Sequence, residues 1–259
     1  MKKVIQKGIA GLGNRFQVLG YCFDIAQLHK AKLLVDWRDS SWRDDFSNYF
    51  DSDTISDFQD DDYPNVMPEW WADKINAPCA KRLAGEDFKR VDVHAIASQW
   101  ETLAVCQYKA QYSSEIFNHI SFKKRISDKA KKFKLYYKKY NCWHIRATDK
   151  TAGDPFEIVN KIMTKSRKIP SVILTDNLQV KNYAVFQGFF CPSIIPDIPM
   201  AGGIHHSTET HLSKSKITRQ ELNDSALADI LIGANATNFH STCENSSFSQ
   251  LIERIRSIK

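Results

Sequence analysis

Residues 141–175 read NCWHIRATDKTAGDPFEIVNKIMTKSRKIPSVILT, and this stretch decides the fold of the chain. Its pattern predicts a strand at 141–147, a helix opened by Pro155 that runs to residue 167, and a buried strand at 171–175. The pattern continues with helices at 178–187, 218–231 and 246–258 and strands at 192–195 and 236–240. Because strands alternate with helices of this length, the sequence predicts an α/β fold with a parallel sheet covered on both faces.

The first half of the chain begins with a similar strand–helix–strand pattern. A short strand at Val4 and Ile5, a glycine-rich turn at 8–13 and an amphipathic helix precede a buried strand at 32–37. Between this unit and the second half, the sequence predicts loops with short helices at 38–78, helical segments at 92–119 and an amphipathic helix at 121–140. We therefore expect two domains, residues 1–140 and residues 141–259.

Composition and charge exclude several classes of function. The 259 residues carry a net charge of +6, with six aspartates between Asp51 and Asp62 and a lysine run at 123–139. Charge runs of this kind are typical of solvated faces, and no nucleic-acid reader module accompanies the lysines. No apolar stretch is long enough to span a membrane, and the first residues do not resemble a signal peptide. We expect a cytoplasmic protein whose six cysteines are reduced thiols.

The glycine turn is the first candidate site. A turn such as Gly11-Leu12-Gly13 ahead of a helix lets the backbone approach a phosphate, and the helix N-terminus favours an anion. A dinucleotide fingerprint needs a third glycine where Phe16 stands, although Asp36 lies where a ribose-binding carboxylate would. A nicotinamide oxidoreductase and a tight turn without any ligand both remain alternatives.

The second candidate site lies at the end of the strand 141–147. Ligands of open α/β sheets bind at the carboxyl ends of the strands. His144 and Arg146 are two residues apart and therefore point to the same side of the strand. The guanidinium fork of Arg146 suits a diphosphate, and the alternative is a core ion pair between Arg146 and Asp149.

The segment His144–Lys150, HIRATDK, resembles the HxRxTDK motif of eukaryotic α1,6-fucosyltransferases and is similar to the bacterial nodulation-factor fucosyltransferases (glycosyltransferase family 23). Further similarities follow in the family's order along the chain: Gly11–Arg15, Val35–Arg38, Thr175–Asn177, Gly203–His205, Ala228–Asp229 and Ser246–Phe248. The chain lacks the coiled-coil and SH3-like additions of the eukaryotic members, so the bacterial branch is the better comparison.

The resemblance implies a GT-B fold, in which two Rossmann-like lobes face each other and the second lobe holds the donor. It implies that His144 and Arg146 bind the GDP diphosphate, that Ser246 and Ser247 contact phosphate, and that Glu221 contacts the nucleoside. The family's general base is a glutamate, and Asp154 stands at its position, with Glu157 and Asp36 as substitutes. The family's second arginine is replaced by Ala147.

The predicted site is completed by three further groups of residues. We assign Asp149 and Lys150 to catalysis alongside Arg146 and Asp154. We assign donor binding also to Asp176, Gly11, Gly13, Asn14 and Arg15. We assign the acceptor side to Asp36, Trp37 and Arg38, because aromatic and charged side chains suit sugar faces and hydroxyls.

We expect neither a cofactor nor a metal ion. The histidines His205, His206 and His211 lack the spacing of a zinc site. Asp51-Ser52-Asp53 has a DxD pattern, but it belongs to the aspartate run that we interpret as a solvated face. The expected partners are GDP-fucose and a glycan acceptor, and peripheral association with a membrane-linked acceptor is compatible with the sequence. The remaining alternatives are a transferase that uses another nucleotide sugar and a non-catalytic nucleotide- or glycan-binding protein.

Overall fold

The computed structural model describes residues 1–39, 41–77, 92–148, 153–165, 169–198 and 207–258. The chain forms two compact units, Met1–Lys123 and Lys124–Lys259. Both units are mixed α/β structures built on parallel sheets, as the alternation of strands and helices predicts.

The first unit is built on a five-stranded sheet in which every neighbouring pair is parallel. The strands of this unit, in chain order, are β1 (Lys3–Lys7), β2 (Lys32–Asp36), β3 (Phe50–Asp51), β4 (Ile55–Asp57), β5 (Val66–Met67), β6 (Thr102–Val105) and β7 (Ser121–Phe122). The sheet order is β4-β2-β1-β6-β5, and β3 and β7 form a separate antiparallel pair. The helix α1 (Leu12–His29) connects β1 to β2, so the predicted strand–helix–strand opening is confirmed.

An aromatic cluster fills the core beside α1. Phe16 packs edge-on against Trp37 and Phe50, and Trp37 packs edge-on against Trp42 and Phe46, with ring centroids 5.2–5.6 Å apart. Edge-to-face pairs of this kind stabilise a core beyond the area they bury. Short 3-10 turns at Phe46–Asn48, Glu69–Lys74, Ala97–Gln99 and Glu115–Asn118 connect the strands.

The second unit has a three-stranded parallel sheet in the order β10-β8-β9. Its strands are β8 (Asn141–Ile145), β9 (Ser171–Thr175) and β10 (Asn238–Ser241). Its helices are α2 (Lys124–Tyr136), α3 (Pro155–Lys165), α4 (Leu178–Phe186), α5 (Glu209–Lys214), α6 (Arg219–Asn235) and α7 (Ser247–Ser257). Each of these strands and helices except α5 overlaps an element that the sequence predicts.

The boundary between the units lies before α2, whereas the sequence placed it near residue 140. Ile126, Ala130 and Phe133 are buried along one face of α2, which packs on α6. The Arg125 Nε also donates to Asp224 on α6, with 2.9 Å between nitrogen and oxygen. The apolar face of α2 therefore belongs to the core of the second unit.

Two predicted elements are wrong. The segment 92–119 contains the parallel strand β6 between 3-10 turns instead of helices, because Thr102–Val105 pairs with Lys3–Gln6 of β1. The segment 192–195 is not a strand. It lies between Pro192 and Pro196, which have no backbone N–H to donate to a ladder, and only Phe190 makes a bridge, to Val172.

Candidate functional site

The two faces of β8 contact different helices. Ile145 and Ala147 are fully buried with Val159 and Val180, which lie on α3 and α4. The side chain of His144 points the other way, onto the first turn of α7, where its ring packs on Phe248 at 5.1 Å. The alternation of a strand therefore delivers His144 to the N-terminus of α7.

A short chain of hydrogen bonds holds His144 in place. Its Nδ1 lies 2.7 Å from the Ser249 Oγ, and the Ser249 Oγ lies 2.8 Å from the Ser241 Oγ. The Ser241 Oγ accepts from the Cys243 N–H and lies 2.9 Å from the Cys243 carbonyl oxygen, to which it can donate. All of these bonds are formed if the Ser249 hydroxyl donates to Ser241 and the Ser241 hydroxyl donates to the Cys243 carbonyl. His144 then donates from Nδ1 to Ser249, and its Nε2 carries the lone pair.

His144 is an uncharged group in this site. Burial, together with the positive charge of Arg146 beside it, lowers the pKa of His144 to about 3. The imidazole is therefore neutral throughout the physiological range and offers one donor and one acceptor. It can hydrogen-bond a ligand, but it adds no positive charge, and among the residues described near the end of β8 the cationic side chain is that of Arg146.

Arg146 follows β8 directly and lies beside Asp176, which follows β9. Its backbone N–H donates to the Thr242 Oγ1 at 3.4 Å, and its Nε lies 4.0 Å from the Asp176 Oδ2. The Arg146 side chain is 18% exposed. A half-buried guanidinium at the carboxyl end of a parallel sheet is a suitable group for binding an anion.

Asp176 holds the start of the loop that follows β8. Its Oδ1 accepts from the Ala147 N–H at 2.8 Å, and its Oδ2 accepts from the Thr148 hydroxyl at 2.6 Å. Both carboxylate oxygens are thus engaged in fixing this loop. These contacts give Asp176 an organising role in this loop, and its predicted donor contact stays a prediction.

The N-terminus of α7 completes this edge of the sheet. Ser246 is the N-cap, and its hydroxyl accepts from the Ser249 N–H at 3.4 Å. Ser246 is buried, whereas Ser247, the first helical residue, is partly exposed. The first turn carries no acidic residue, so the positive end of the helix dipole is not neutralised from within. His144, Arg146 and the α7 N-terminus therefore lie at the same edge of the sheet, which we call the β8–α7 edge and whose groups suit an anion.

Asp154 lies at the start of α3. Its Oδ1 accepts from the Phe156 N–H at 2.9 Å and its carbonyl accepts from the Ile158 N–H at 3.1 Å, so it serves as the N-cap of the helix. The Asp154 side chain is exposed. Glu157 is also exposed and pairs with Lys161 one turn later, at 3.6 Å. Either carboxylate is accessible, and the catalytic role of Asp154 stays a prediction.

Glu221 takes part in a capping box at the start of α6. Its Oε2 accepts from the backbone N–H and from the hydroxyl of Thr218, both at 2.8 Å. These two hydrogen bonds lower the pKa of Glu221. The pattern Thr218-x-x-Glu221 predicts this box from the sequence, which our sequence analysis missed. The predicted nucleoside contact of Glu221 remains to be tested.

Some predicted residues lie outside the described part of the chain or have local structural roles. Asp149, Lys150, Gly203–His205 and His206 fall outside the described residues. His211 closes a second capping box, in which its Nδ1 accepts from the Thr208 N–H at 3.2 Å. Among the described residues, no group of three or more His, Cys, Asp or Glu side chains could hold a metal ion. In the segment Asp51-Ser52-Asp53, Asp51 pairs with Lys123.

The glycine turn of the first unit is packed against Arg15. A Cβ on Gly8 would lie 2.1 Å from the Arg15 Nη1 and 2.6 Å from the Trp37 ring, so packing alone requires glycine there. Arg15 is 1% exposed and binds the Ala10 carbonyl at 3.1 Å and Asp39 at 2.5 Å. The prediction that Arg15 contacts the donor is wrong, because its guanidinium is enclosed by this turn.

Three other residues of the predicted donor site lie at the start of α1. Gly11 is the N-cap and its carbonyl accepts from the N–H groups of Asn14 and Arg15. Gly13 and Asn14 are buried, and the Asn14 side-chain amide donates to the Tyr108 carbonyl at 2.8 Å. These contacts explain the local structure, and the donor contacts of Gly11, Gly13 and Asn14 stay predictions.

The acceptor-side prediction is wrong for Trp37 and Asp36. Trp37 is fully buried in the aromatic cluster and its Nε1 donates to the Gln6 Oε1 at 2.7 Å, so its ring cannot reach a sugar. Asp36 is 1% exposed and accepts from Lys7 at 2.6 Å and from the Tyr63 hydroxyl. Arg38, 30% exposed, covers it from the outside and remains a candidate for acceptor binding.

Asp36 is also unsuited to act as a base. Burial by itself would raise the pKa of Asp36, but the charge and hydrogen bond of Lys7, with further bonds from Tyr63 and the Arg38 backbone, lower the net pKa below its ordinary value. Both oxygens are occupied, since Oδ1 accepts from the Arg38 N–H at 2.9 Å. The same arrangement disfavours a ribose contact and with it the nicotinamide alternative.

Asp229 on α6 is a buried carboxyl that the sequence analysis did not single out for its chemistry. Burial raises the pKa of Asp229 to about 7, although Ser193, Lys181 and Lys129 oppose the shift. The folded protein therefore holds this proton to higher pH than the unfolded chain, and the resulting stabilisation is lost as the pH rises through about 7.

Replacing Asp229 with asparagine should remove this pH dependence. As the pH is raised from about 5 to about 8, we expect the melting temperature of the parent to fall by roughly 5 °C more than that of the variant. This difference corresponds to about 2 kcal/mol in the free energy of unfolding. The control is Asp224→Asn on the same helix, which breaks the ion pair with Arg125 and should lower the melting temperature at about pH 8. Parallel melting curves for Asp229→Asn and the parent would contradict the buried proton.

No protein-family model and no curated protein matches this chain by sequence. Several solved structures match its fold over almost the whole chain. The NodZ α-1,6-fucosyltransferase soaked with GDP-fucose gives a TM-score of 0.59 at 17% identity, covering 98% of this chain and 92% of that one. The fucosyltransferase NodZ from Bradyrhizobium gives 0.59 at 18% identity, with coverages of 97% and 92%.

A more distant enzyme has a similar fold. A variant of Arabidopsis thaliana FUT1 in complex with GDP gives a TM-score of 0.58 at 12% identity, covering 98% of this chain and 68% of that one. The predicted resemblance to glycosyltransferase family 23 is therefore confirmed at the level of fold. The matched structures are those of enzymes, and this chain shares their fold.

Proposed function

We propose that this chain is a glycosyltransferase that transfers fucose from GDP-fucose to a hydroxyl of a glycan. The observation that carries the proposal is the β8–α7 edge, where His144, Arg146 and the N-terminus of α7 converge at the carboxyl end of the sheet. The shared fold with NodZ, for which structures with GDP and GDP-fucose exist, supports the choice of donor.

The chemistry of the β8–α7 edge suits a departing diphosphate. In an inverting transfer, the bond between the sugar and the diphosphate breaks while the acceptor oxygen attacks the opposite face, so negative charge builds on the diphosphate. Arg146 supplies a fixed positive charge, and the helix N-terminus adds N–H donors that need no rearrangement. Neutral His144 can donate one hydrogen bond to phosphate only if Ser249 reverses its own bond and donates to Nδ1.

A carboxylate is needed to remove the proton of the acceptor hydroxyl. Asp154 is exposed, and we assign it the role of general base, with Glu157 as the substitute. We include in the proposal the arrangement of two facing lobes, with the acceptor bound by the first and Arg38 on its surface. A cytoplasmic location, an inverting mechanism and independence of metal ions are also part of the proposal. In the described residues no helix is long and apolar enough to cross a membrane.

The identity of the donor can be tested by thermal shift. The parent protein is melted with GDP, GDP-fucose, UDP, UDP-sugars or NAD. Stabilisation by GDP and GDP-fucose alone supports the proposal. Stabilisation by UDP or by NAD would replace it with another transferase or with an oxidoreductase. Binding of GDP-fucose without any hydrolysis or transfer would leave a nucleotide-sugar-binding protein.

We predict that GDP binds without a divalent metal ion. The reason is that the proposed diphosphate ligands are a guanidinium, an imidazole and helix N–H groups, which bind anionic oxygen directly. Titration of GDP in EDTA should give the same dissociation constant, within about a factor of two, as titration with added Mg²⁺ or Mn²⁺. Loss of binding in EDTA and its return with Mn²⁺ would contradict metal independence without affecting the choice of GDP.

A further inference from the structure

Most of the large apolar side chains that are exposed among the described residues belong to two short segments of the chain. Eight large hydrophobic residues are exposed, and five of them lie at the ends of α2 and α4. These five are Leu135 (79% exposed), Tyr136 (87%), Val185 (51%), Phe186 (85%) and Phe190 (43%). Single exposed apolar residues need no explanation, but such a concentration marks an interaction surface.

Ring contacts bring the segment after α4 against the end of α2. Phe190, which follows α4, packs at a tilt on Phe133 of α2 at 5.1 Å and on Tyr137 at 5.9 Å. Phe133 is also packed edge-on against the buried Tyr140 at 4.9 Å. Phe190, four residues after Phe186, is thus held at the end of α2.

Lysines surround the α2 side of this surface. Lys131, Lys132, Lys134, Lys138 and Lys139 are all exposed, and no acidic residue occurs from Lys129 to Tyr140. The described residues place no carboxylate within ion-pair distance of these five lysines. We call the five lysines and the five apolar residues together the α2–α4 patch.

We infer that the α2–α4 patch binds the surface of an anionic lipid bilayer. Lysines attract anionic headgroups, while exposed leucine, valine and phenylalanine side chains insert at the boundary of the acyl chains. Tyr136 has the mixed character that suits this interface. Two alternatives explain the patch less well. Exposed lysines without apolar neighbours would be a solvated face, and a nucleic acid would not bury the aliphatic side chains of Leu135 and Val185. This inference does not depend on the proposed transfer reaction.

Co-sedimentation with vesicles tests the inference on the intact protein. The parent should sediment with vesicles of phosphatidylcholine containing about a third phosphatidylserine, and at least tenfold less with pure phosphatidylcholine. The triple variant Lys131→Glu/Lys134→Glu/Lys138→Glu should bind the anionic vesicles at least tenfold more weakly. The charge-matched control Lys30→Glu/Lys32→Glu/Lys214→Glu, at exposed lysines elsewhere, should bind like the parent.

A second variant separates insertion from general attraction by charge. Leu135→Ser/Phe186→Ser keeps every lysine and should still lose most of the binding, about tenfold, with an unchanged melting temperature and unchanged GDP binding. The inference is overturned if the parent does not sediment with anionic vesicles, if the charge-matched control loses as much binding as the triple variant, or if the serine variant binds normally. Tighter binding of the parent to a single-stranded oligonucleotide than to anionic vesicles would assign the patch to nucleic acid instead.

Discussion

Replacing Asp154 with asparagine should slow fucose transfer by roughly 10²–10⁴-fold while GDP affinity is unchanged. The Asp154 Oδ1 caps α3 by accepting from the Phe156 N–H. Asparagine caps helices as well as aspartate does, so the helix and the fold should survive the change. What asparagine lacks is the basic carboxylate, and the loss should therefore appear in kcat. The measurement is the transfer rate with saturating donor, together with a GDP titration.

Two further variants serve as controls for Asp154→Asn. Asp154→Glu restores the longer carboxylate found in the family that the sequence resembles and should retain much of the activity. Glu157→Gln breaks only the exposed contact with Lys161 and should transfer at about the parent rate. Near-normal transfer by Asp154→Asn with a large loss in Glu157→Gln would move the role of the base to Glu157.

The second half of the chain was well predicted because its signals are local. The strand Ser171–Thr175 has an apolar centre, Val172–Leu174, and helices such as α6 and α7 begin after a capping threonine or serine. The strand β6 was missed because a four-residue run, Thr102–Val105, looks the same in a buried helix. Its partner β1 lies almost a hundred residues earlier, and pairing at that distance leaves no local pattern.

The site was predicted in part for the same reason. Strand alternation identified His144, but the contact of His144 with Ser249 joins residues 105 positions apart and is visible only in the fold. The resemblance assigned Ser246 and Ser247 to phosphate and gave no sign of the hydrogen bonds that link His144 to Ser249 and Ser241. Trp37 was misassigned because an aromatic side chain suits both a sugar face and a core. Only packing by Phe16, Phe46 and Phe50 decides in favour of the core.

Replacing Arg146 with lysine should slow transfer by roughly ten- to two-hundred-fold for each hydrogen bond lost to the diphosphate, while the melting temperature stays close to that of the parent. Lysine keeps the positive charge but replaces a planar two-pronged donor with a point charge on a flexible stem, which cannot bridge two phosphate oxygens in a fixed plane. Bonds of about 1.5–3 kcal/mol each would then be missing as charge builds on the leaving group.

The contact with Asp176 does not by itself account for a guanidinium at position 146. The Asp176 Oδ2 is 4.0 Å from the Arg146 Nε, and both Asp176 oxygens accept shorter hydrogen bonds from Ala147 and Thr148. The ion pair with Asp176 is therefore a weak interaction for a guanidinium. A phosphate at the carboxyl end of β8 would bind the Arg146 guanidinium more strongly, since two phosphate oxygens can accept hydrogen bonds from it at once.

Arg256 supplies the matched control in the same unit. Its Nη1 donates to the carbonyls of Gly233 at 3.2 Å and Ala236 at 2.7 Å, so it caps the end of α6, and its Nε pairs with Glu253 on α7 at 3.6 Å. Arg256→Lys should lower the melting temperature and leave the transfer rate per folded molecule unchanged, which is the opposite of what we expect for Arg146→Lys. Both quantities are to be measured on the same preparation of each variant. An Arg146→Lys protein that melts early and transfers at the parent rate would make Arg146 a second structural arginine, and the β8–α7 edge would lose the charge on which the proposed reaction depends.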